Sequence, residues 1–419
     1  MSEERRSSFR DVFAVGEFRA LLAAQFLSTA GDQVARVALA VLVFADTRSP
    51  ALAAVSVALT YVPELVGGPL LSGLADRHPR RDVMVACDVV RAVLIAAAAI
   101  PGLPLPVLWL LVFLVQTATA PARAARSANM PAMLGGDRYP MGLAVMTTAA
   151  QIAYVGGFAL GGALVTAVGP HAALLVDAAT FTVSAVLIRL AVVQRPASGR
   201  EGVSMVRSAR AGLRLIRDDP RLRALTALAW LYGFYIAPQG LAVPYVDLIG
   251  AEESAAGLLM AAEPAGAAVG ALLLTRLVSP ETRSRLLGPL TVLTGVPLGA
   301  MAFAPPVAVS PVLLLASGLF AAYQTVANAL FVRTVPDELR GQAVGIVASG
   351  LFAAQGLGIS ASGLFAEIAG PAAAIATFAV IGVLAAIPAG IAWRQAARPS
   401  RTREKGGVIM TRGKPIEWH

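Results

Sequence analysis

Residues 63–81 read PELVGGPLLSGLADRHPRR. The first half is apolar and rich in glycine, with one carboxylate, Glu64, set inside it. The second half is a short charged turn, and a new apolar run begins at Val83. Two membrane-spanning helices joined by a tight loop on the arginine-rich side of a bilayer have this form. Outward from it, apolar runs cover about 20–44, 51–75, 83–100 and 105–125, then 139–168, 172–193, 222–246 and 254–277, and finally 286–304, 307–331, 340–368 and 372–393. Each is near or above the ~20 residues needed to cross hydrocarbon, so the expected fold is an all-α membrane protein of twelve transmembrane helices.

Composition agrees. Of 419 residues, 57% are hydrophobic and 14% charged, against roughly 25% charged in a soluble chain. Cys87 is the only cysteine, and His78, His171 and His419 lie far apart, so neither a disulfide nor a metal cluster is expected. No nucleophile, base and orienter recur at catalytic spacing, which argues against an enzyme and implies no cofactor. The formal charge of +9 is not read as nucleic-acid binding, because the basic residues sit in loops between apolar runs and no stacking module or phosphate loop accompanies them. The first nineteen residues hold no apolar core, so the first span is expected to act as its own insertion signal.

The arginines give the orientation. They gather before the first span (Arg5, Arg6, Arg10, Arg19) and in alternate connections (Arg77, Arg80, Arg81, Arg138, then Arg195 to Arg223), and again in the tail. The intervening loops hold Arg48 beside Asp46, Asp247, Glu252, Glu253 and Glu367. The positive-inside rule places both termini in the cytoplasm of a cell whose plasma membrane the chain crosses. The expected units are 1–193, a cytoplasmic linker 194–221, a second six-helix bundle 222–394 and a basic tail 395–419. Arg207, Arg210, Arg214 and Arg217 recur at helical spacing in the linker, consistent with an amphipathic helix on the inner membrane surface.

The halves repeat one another. Asp137, Gly157, Gly162, Gly169 and Pro170 match Glu338, Gly358, Gly363, Gly370 and Pro371, while Glu64, Gly67 and Arg77 match Glu263, Gly266 and Arg276. A duplicated six-span unit implies two pseudo-symmetric bundles with a substrate path between them.

Charged residues inside spans must face a cavity or a partner. Asp32 lies mid-span with Arg36 one turn on, giving either a structural Asp32–Arg36 pair or a proton-titrated site that meets cationic cargo. Glu64 and Glu263 occupy matching depths beside Pro63 and Pro264. A carboxylate's proton affinity depends on whether water or hydrocarbon surrounds it, so a cavity that changes sides can couple protons to transport. Asp177 is a further cavity or helix-bonding candidate. Asp88 and Arg91, with Asp76, Arg77, Arg80 and Arg81, suggest a charge network at the cytoplasmic gate, joined by Arg123 and Arg126. Gly156, Gly157, Gly161 and Gly162 suggest one thin helix face for close contact and sliding. Gln151, Tyr154, Tyr232, Tyr235, Gln239, Tyr323, Gln324, Asn328 and Gln355 are candidate cavity polar groups, a sparse set suited to bulky amphiphilic or cationic cargo.

On these residues the chain resembles the major facilitator superfamily. Gly73-Leu74-Ala75-Asp76-Arg77-His78-Pro79-Arg80-Arg81 is similar to its signature loop between spans two and three, with Pro79 where glycine is usual. The resemblance implies close packing for Gly73, contact with the opposite half for Asp76, and an inner gate of Arg77, Arg80 and Arg81. The glycines from Gly156 to Gly162 resemble the fifth-span motif of its antiporters without the customary proline. The stretches from Pro121 to Pro131 and from Val335 to Gly341, with Asp32 after Gly31, are similar to the subgroup of enterobactin-exporter-like and drug-efflux proteins. For function, the resemblance implies a proton-coupled multidrug exporter, working as a monomer by alternating access, with small-molecule cargo, protons and the bilayer as its partners. A dedicated exporter of one siderophore or secondary metabolite, or a non-transporting receptor or lipid scramblase, is the alternative.

The charge pattern makes a topology test. A green fluorescent protein joined to the C-terminus is expected to fluoresce, and alkaline phosphatase joined after Arg48 to be active. The reverse pattern would invert the assigned orientation.

Overall fold

The computed structural model describes residues 9–63, 77–195 and 205–397, with side chains from 210 onward in the last segment. The described residues are helical without strands. The first group of helices is α1 (Gly16–Thr47), α2 (Pro50–Ala58), α3 (Arg80–Ala98), α4 (Leu105–Met133), α5 (Arg138–Val168) and α6 (Pro170–Ala191). A connecting helix α7 (Met205–Asp218) leads to α8 (Pro220–Trp230), α9 (Ala237–Leu248), α10 (Ser254–Leu277), α11 (Pro280–Gly299), α12 (Ser310–Ala321), α13 (Tyr323–Thr334), α14 (Arg340–Ala369) and α15 (Pro371–Ala396).

Among the described residues nine helical stretches are long and apolar enough to cross a membrane. The other three expected spans depart from that form for separate reasons. The second runs from α2 into residues outside the described set. The third, α3, carries Arg80, Arg81, Asp82, Asp88 and Arg91 within nineteen residues. The seventh is broken into α8, a turn of helix at Tyr232–Tyr235, and α9. Pro238 lacks the N–H that would bond the Phe234 carbonyl, so the ladder cannot run through unbroken.

Local chemistry sets the helix starts. A side-chain oxygen followed by proline recurs at Ser49-Pro50, Asp219-Pro220 and Ser279-Pro280. In each case the side chain accepts from a first-turn N–H, that of Leu52, Arg221 and Thr282 respectively. Where α5 meets α6 and α14 meets α15, the chain turns on Gly169 (φ 81°, ψ 162°) and Gly370 (φ 81°, ψ 160°). Only glycine adopts this backbone readily. Both glycines precede a proline that starts the next helix.

The repeat is visible in packing. A Cβ on Gly157 would lie 2.5 Å from the Ala30 carbonyl oxygen of α1, and one on its counterpart Gly358 would press on the Gly233 carbonyl. Gly162 would meet the Ser254 carbonyl oxygen of α10 at 2.4 Å, whereas its counterpart Gly363 would meet Ala54 of α2 at 2.4 Å. The first pair packs within each group and the second pair packs across the two groups, in symmetry-related places.

Polar ties between the groups gather at one end. There Arg48 Nη1 lies 3.3 Å from Asp247 Oδ1. Glu367 accepts from Ser49 Oγ and from the Ala51 N–H, the latter at 3.1 Å, at the start of α2. Together with the close glycine contacts they seal this acidic end.

Two expectations change. The four glycines of α5 do not form one face: Gly157 and Gly161 abut α1, Gly162 abuts α10, and Gly156 faces open space. The connecting helix α7 lays Gly212 against Ile346 and Ala343 of α14 and buries Ile216, so part of its apolar side is covered by protein rather than by a membrane surface.

The contrast within α5 is testable. Gly156→Ala is expected to leave thermal stability in detergent unchanged. Gly157→Val, which has to push α1 away, is expected to cost roughly 1–3 kcal/mol, read as a lower unfolding temperature. Equal effects would refute the packing assigned to Gly157.

Candidate functional site: a buried charge cluster and a tyrosine-lined junction

The first group of helices holds a charged cluster in its core. The guanidinium of Arg91 on α3 is 1% exposed. Its Nη2 donates to both oxygens of Asp32 on α1, at 2.8 and 2.9 Å. Its Nη1 faces Ser28 Oγ at 3.3 Å and Asp88 Oδ1 at 3.5 Å. The plane stacks over the Phe181 ring of α6 at 3.8 Å, and Ser184 of α6 donates to Asp88 Oδ2 at 2.6 Å. One cation thus ties three helices together, and two carboxylates offset its charge. Residues 28, 32, 88 and 91 follow helical spacing on α1 and α3, which brings them to facing stripes.

Asp177 of α6 lies beside this cluster, 1% exposed. Its Oδ1 accepts from Thr180 at 3.2 Å, while Oδ2 is buried without a hydrogen-bond partner. Asp32, Arg36 and Asp177 line a cavity of about 20 Å³, room for about one water.

Arg36 turns away from Asp32. Its Nη1 donates to Gln33 Oε1 at 3.0 Å and to Tyr154 OH at 3.3 Å, and its guanidinium sits 4.8 Å from the Tyr61 ring centre. The structural Asp32–Arg36 pair considered from sequence is therefore replaced by Asp32–Arg91. Across the junction, Glu263 of α10 accepts from Tyr232 OH at 2.7 Å. Glu263 is close enough to Tyr61 to interact electrostatically. Arg36, Tyr61 and Tyr154 from one group thus meet Tyr232 and Glu263 from the other, in the middle of the molecule.

The remaining candidates divide. Glu64, Gly73 and Asp76 lie outside the described residues. Asp88 and Arg91 join Asp32 in the core rather than Arg80 and Arg81 in a gate network. Arg80 instead donates to the Ala128 carbonyl of α4 at 2.7 Å, and Arg81 to Gln194 at 2.9 Å. Arg77 and Arg123 are exposed, and Arg126 lies within electrostatic reach of Asp88. The Tyr323 hydroxyl and the Gln324 and Gln239 amide N–H groups donate to the carbonyls of Leu228, Ala229 and Met260, while Gln239 Oε1 is buried without a hydrogen-bond partner. These bonds fix helices in the second group. Tyr235 is buried against Gly295 and Gly382, where a methyl group would collide with its ring. Gln355 is buried, and Gln151 and Asn328 are exposed.

Beyond the spans, Arg195 donates through Nη2 to Glu17 Oε2 at 2.9 Å. That bond and the carboxylate charge push the guanidinium above its usual range despite partial burial. Sequence reasoning missed Tyr61, Phe181 and Ser184. The last two stand four and seven residues after Asp177, on its helical face, a spacing that pointed to them.

The sequence pattern of the Major Facilitator Superfamily matches residues 21–248 and 239–416. An uncharacterized MFS-type transporter, YfiS of Bacillus subtilis (strain 168), is 26% identical over 349 residues, 78% of this chain and 82% of its own length. The multidrug efflux pump Tap of Mycobacterium tuberculosis (strain ATCC 25618 / H37Rv) is 26% identical over 357 residues, 80% of this chain and 83% of its own. Macrolide efflux protein A of Streptococcus pyogenes is 22% identical over 240 residues, 55% of this chain and 59% of its own. The fold is similar to the crystal structure of nucleoside transporter NupG, with a TM-score of 0.74 and 14% identity over 90% of this chain and 99% of that one. It is also similar to a bacterial homologue of the iron transporter ferroportin in an inward-facing state, at 0.67 and 15% over 93% and 99%.

The cluster predicts unequal losses. Arg91→Gln strands Asp32 and Asp88 without their cation, and is expected to cost about 3 kcal/mol or more, read as thermal unfolding in detergent. Adding Asp88→Asn to it is expected to restore part of the loss. Asp32→Asn, which leaves Arg91 with Asp88, is expected to cost less than Arg91→Gln. Equal stability for all three would remove the cluster's structural role.

Proposed function

This chain belongs to the Major Facilitator Superfamily, and we propose that it is a secondary active exporter of small amphiphilic or cationic compounds driven by proton antiport. It is a membrane transporter rather than an enzyme. The observation that carries the finer reading is the pairing of two sites: a buried carboxylate–arginine cluster inside the first bundle, and a tyrosine-lined junction with one carboxylate, Glu263, between the bundles. Names among its relatives, multidrug efflux pump and macrolide efflux protein, favour the same cargo class.

In this reading the arginine-rich end is cytoplasmic, and residues 1–193 and 222–394 move as two bundles within a monomer in the plasma membrane. With the acidic end sealed, cargo enters from the cytoplasm. It meets the faces of Tyr61, Tyr154 and Tyr232, which attract cations by their ring quadrupoles. Cationic cargo displaces the proton from the Glu263 carboxyl group, which releases it to water and pairs its negative charge with the cargo. Asp32 and Asp177 exchange the coupling proton as their surroundings change between the two states, and Arg91 holds Asp32 in place. Glu64, its counterpart in the sequence repeat, is assigned the same role. Arg77, Arg80 and Arg81 belong to the cytoplasmic gate with Gly73 and Asp76, and Arg123 and Arg126 stand at the inner end of α4. Gly157, Gly161 and Gly162 supply the close contacts on which α5 shifts.

The test is flux in proteoliposomes under an imposed pH gradient, with ethidium and erythromycin as probes. Wild type is expected to move both against their concentration gradients. Asp32→Asn is expected to lower gradient-driven flux at least tenfold while probe exchange at equal pH persists, whereas Glu263→Gln, which also removes the counter-charge for the cargo, is expected to lower both. Gradient-driven flux equal to wild type in both variants would refute proton coupling through these residues. Movement of neither probe would refute the broad cargo class.

A further inference from the structure

A second cavity lies above the first, at the acidic end of the first bundle. It measures about 150 Å³ and is bordered by Asp46 of α1, His171 of α6 and the loop that joins α3 to α4. Asp46, Ile100 and Gly102 on its rim are exposed, so it opens to the surface. Ala98 and Leu108 line both this cavity and the small one that holds Asp32 and Asp177. The two spaces are therefore separated by a single apolar wall.

The sequence aligns the column. On α6, His171, Leu174 and Asp177 follow one another at i, i+3 and i+6, on one face. On α1, Asp32, Leu39 and Asp46 are seven residues apart, also on one face. Both stripes begin with a titratable group at the mouth of the cavity and pass an apolar stretch; one ends on Asp177, which is buried, and the other on Asp32, which is half-buried. At its inner end, Asp177 Oδ2 is buried and without a hydrogen-bond partner. An acceptor left bare in a space that holds one water is complementary to a proton or its hydrate.

We propose that protons reach the cluster from the acidic side by this route inside the first bundle, rather than through the cleft between the bundles. The route rests on the proton-coupled reading given above. A hydronium ion drawn to the mouth by Asp46 gives its proton to His171. A water molecule that passes the Ala98–Leu108 wall carries it on to Asp177 Oδ2, which becomes a neutral carboxyl group as neutral water is released. Around the mouth, α1 contributes Asp46 and α6 contributes His171, whose Nδ1 lies 3.0 Å from the Ala99 carbonyl oxygen. The connecting loop, residues 99–104, contributes no ionisable group. Around the inner cavity the charged groups are Asp32 and Arg36 of α1 and Asp177 of α6, with Arg91 of α3 bonded to Asp32. The sealed contacts between bundles exclude cargo from this end, so proton entry and cargo passage use separate doors.

The route can be tested without any cargo. Proteoliposomes with the His171 end outward receive an external acid jump, and protonation of buried carboxyl groups is followed by infrared difference spectroscopy. Wild type is expected to show a carboxyl band that Asp177→Asn lacks. His171→Asn, which removes the mouth's base, and Ala98→Leu, which thickens the wall, are each expected to slow that band at least tenfold. His171→Asn keeps the test open should Ala98→Leu fail to fold. A band that rises at the wild-type rate in His171→Asn, or one unaffected by Asp177→Asn, would overturn the route. If the band behaves as expected but ethidium flux ignores the pH gradient, the route stands and antiport is refuted instead.

Discussion

The guanidinium of Arg91 is the constraint around which the first bundle is built. A charge placed in the core of a membrane protein is costly unless its neighbours replace water. Here Asp32, Asp88, Ser28 and the face of Phe181 do so, drawn from three helices. Each helix is thereby fixed in rotation about its own axis, because turning any of them would strip the cation of a partner. The small cavity beside Asp32 and the orientation of Asp177 toward it come from that fixed arrangement. In the second bundle the buried carboxylate Glu263 is met by the Tyr232 hydroxyl rather than by a guanidinium, and Gly295 and Gly382 make room for the Tyr235 ring. The bundles share a backbone plan and differ in what fills it.

Much of that plan was legible in the chain itself. Apolar runs of membrane length and the alternation of arginine-rich with acidic loops imply a many-spanning helical protein. The matched glycines implied a duplicated unit. The matching backbone turns at Gly169 and Gly370, and the parallel contacts of Gly157 and Gly358, give that repeat its physical form. The third and seventh spans are legible as the apolar runs 83–100 and 222–246, and only their form is hidden. α3 starts earlier, at Arg80, and turns two of its five charged residues into the bundle. The seventh span is interrupted at Leu231 and again at Ile236, just before Pro238.

The site was legible as a set of residue types and not as a set of partners. Periodicity along one helix pairs Asp32 with Arg36, because it sees neighbours one turn apart. It cannot see that α3 presents Arg91 to the same spot. In the same way Asp88 and Arg91 are close in sequence to the loop arginines, yet the rotation of α3 sends them inward. The tyrosines divided by a rule no linear pattern contains: Tyr154 and Tyr232 face the junction, whereas Tyr323 caps a carbonyl exposed where the seventh span breaks.

The contacts that seal the acidic end have one further consequence. Gly162 against Ser254 and Gly257, and Gly363 against Ala51 and Ala54, bring main chain against main chain with little side chain between. Parting such surfaces uncovers few oily atoms, and the free energy of separation scales with the apolar area uncovered. The seam is thus shallow by construction. It lets a binding event of ordinary strength tip the balance between shut and open, and lets the two rims come together again without refitting a jigsaw of large side chains.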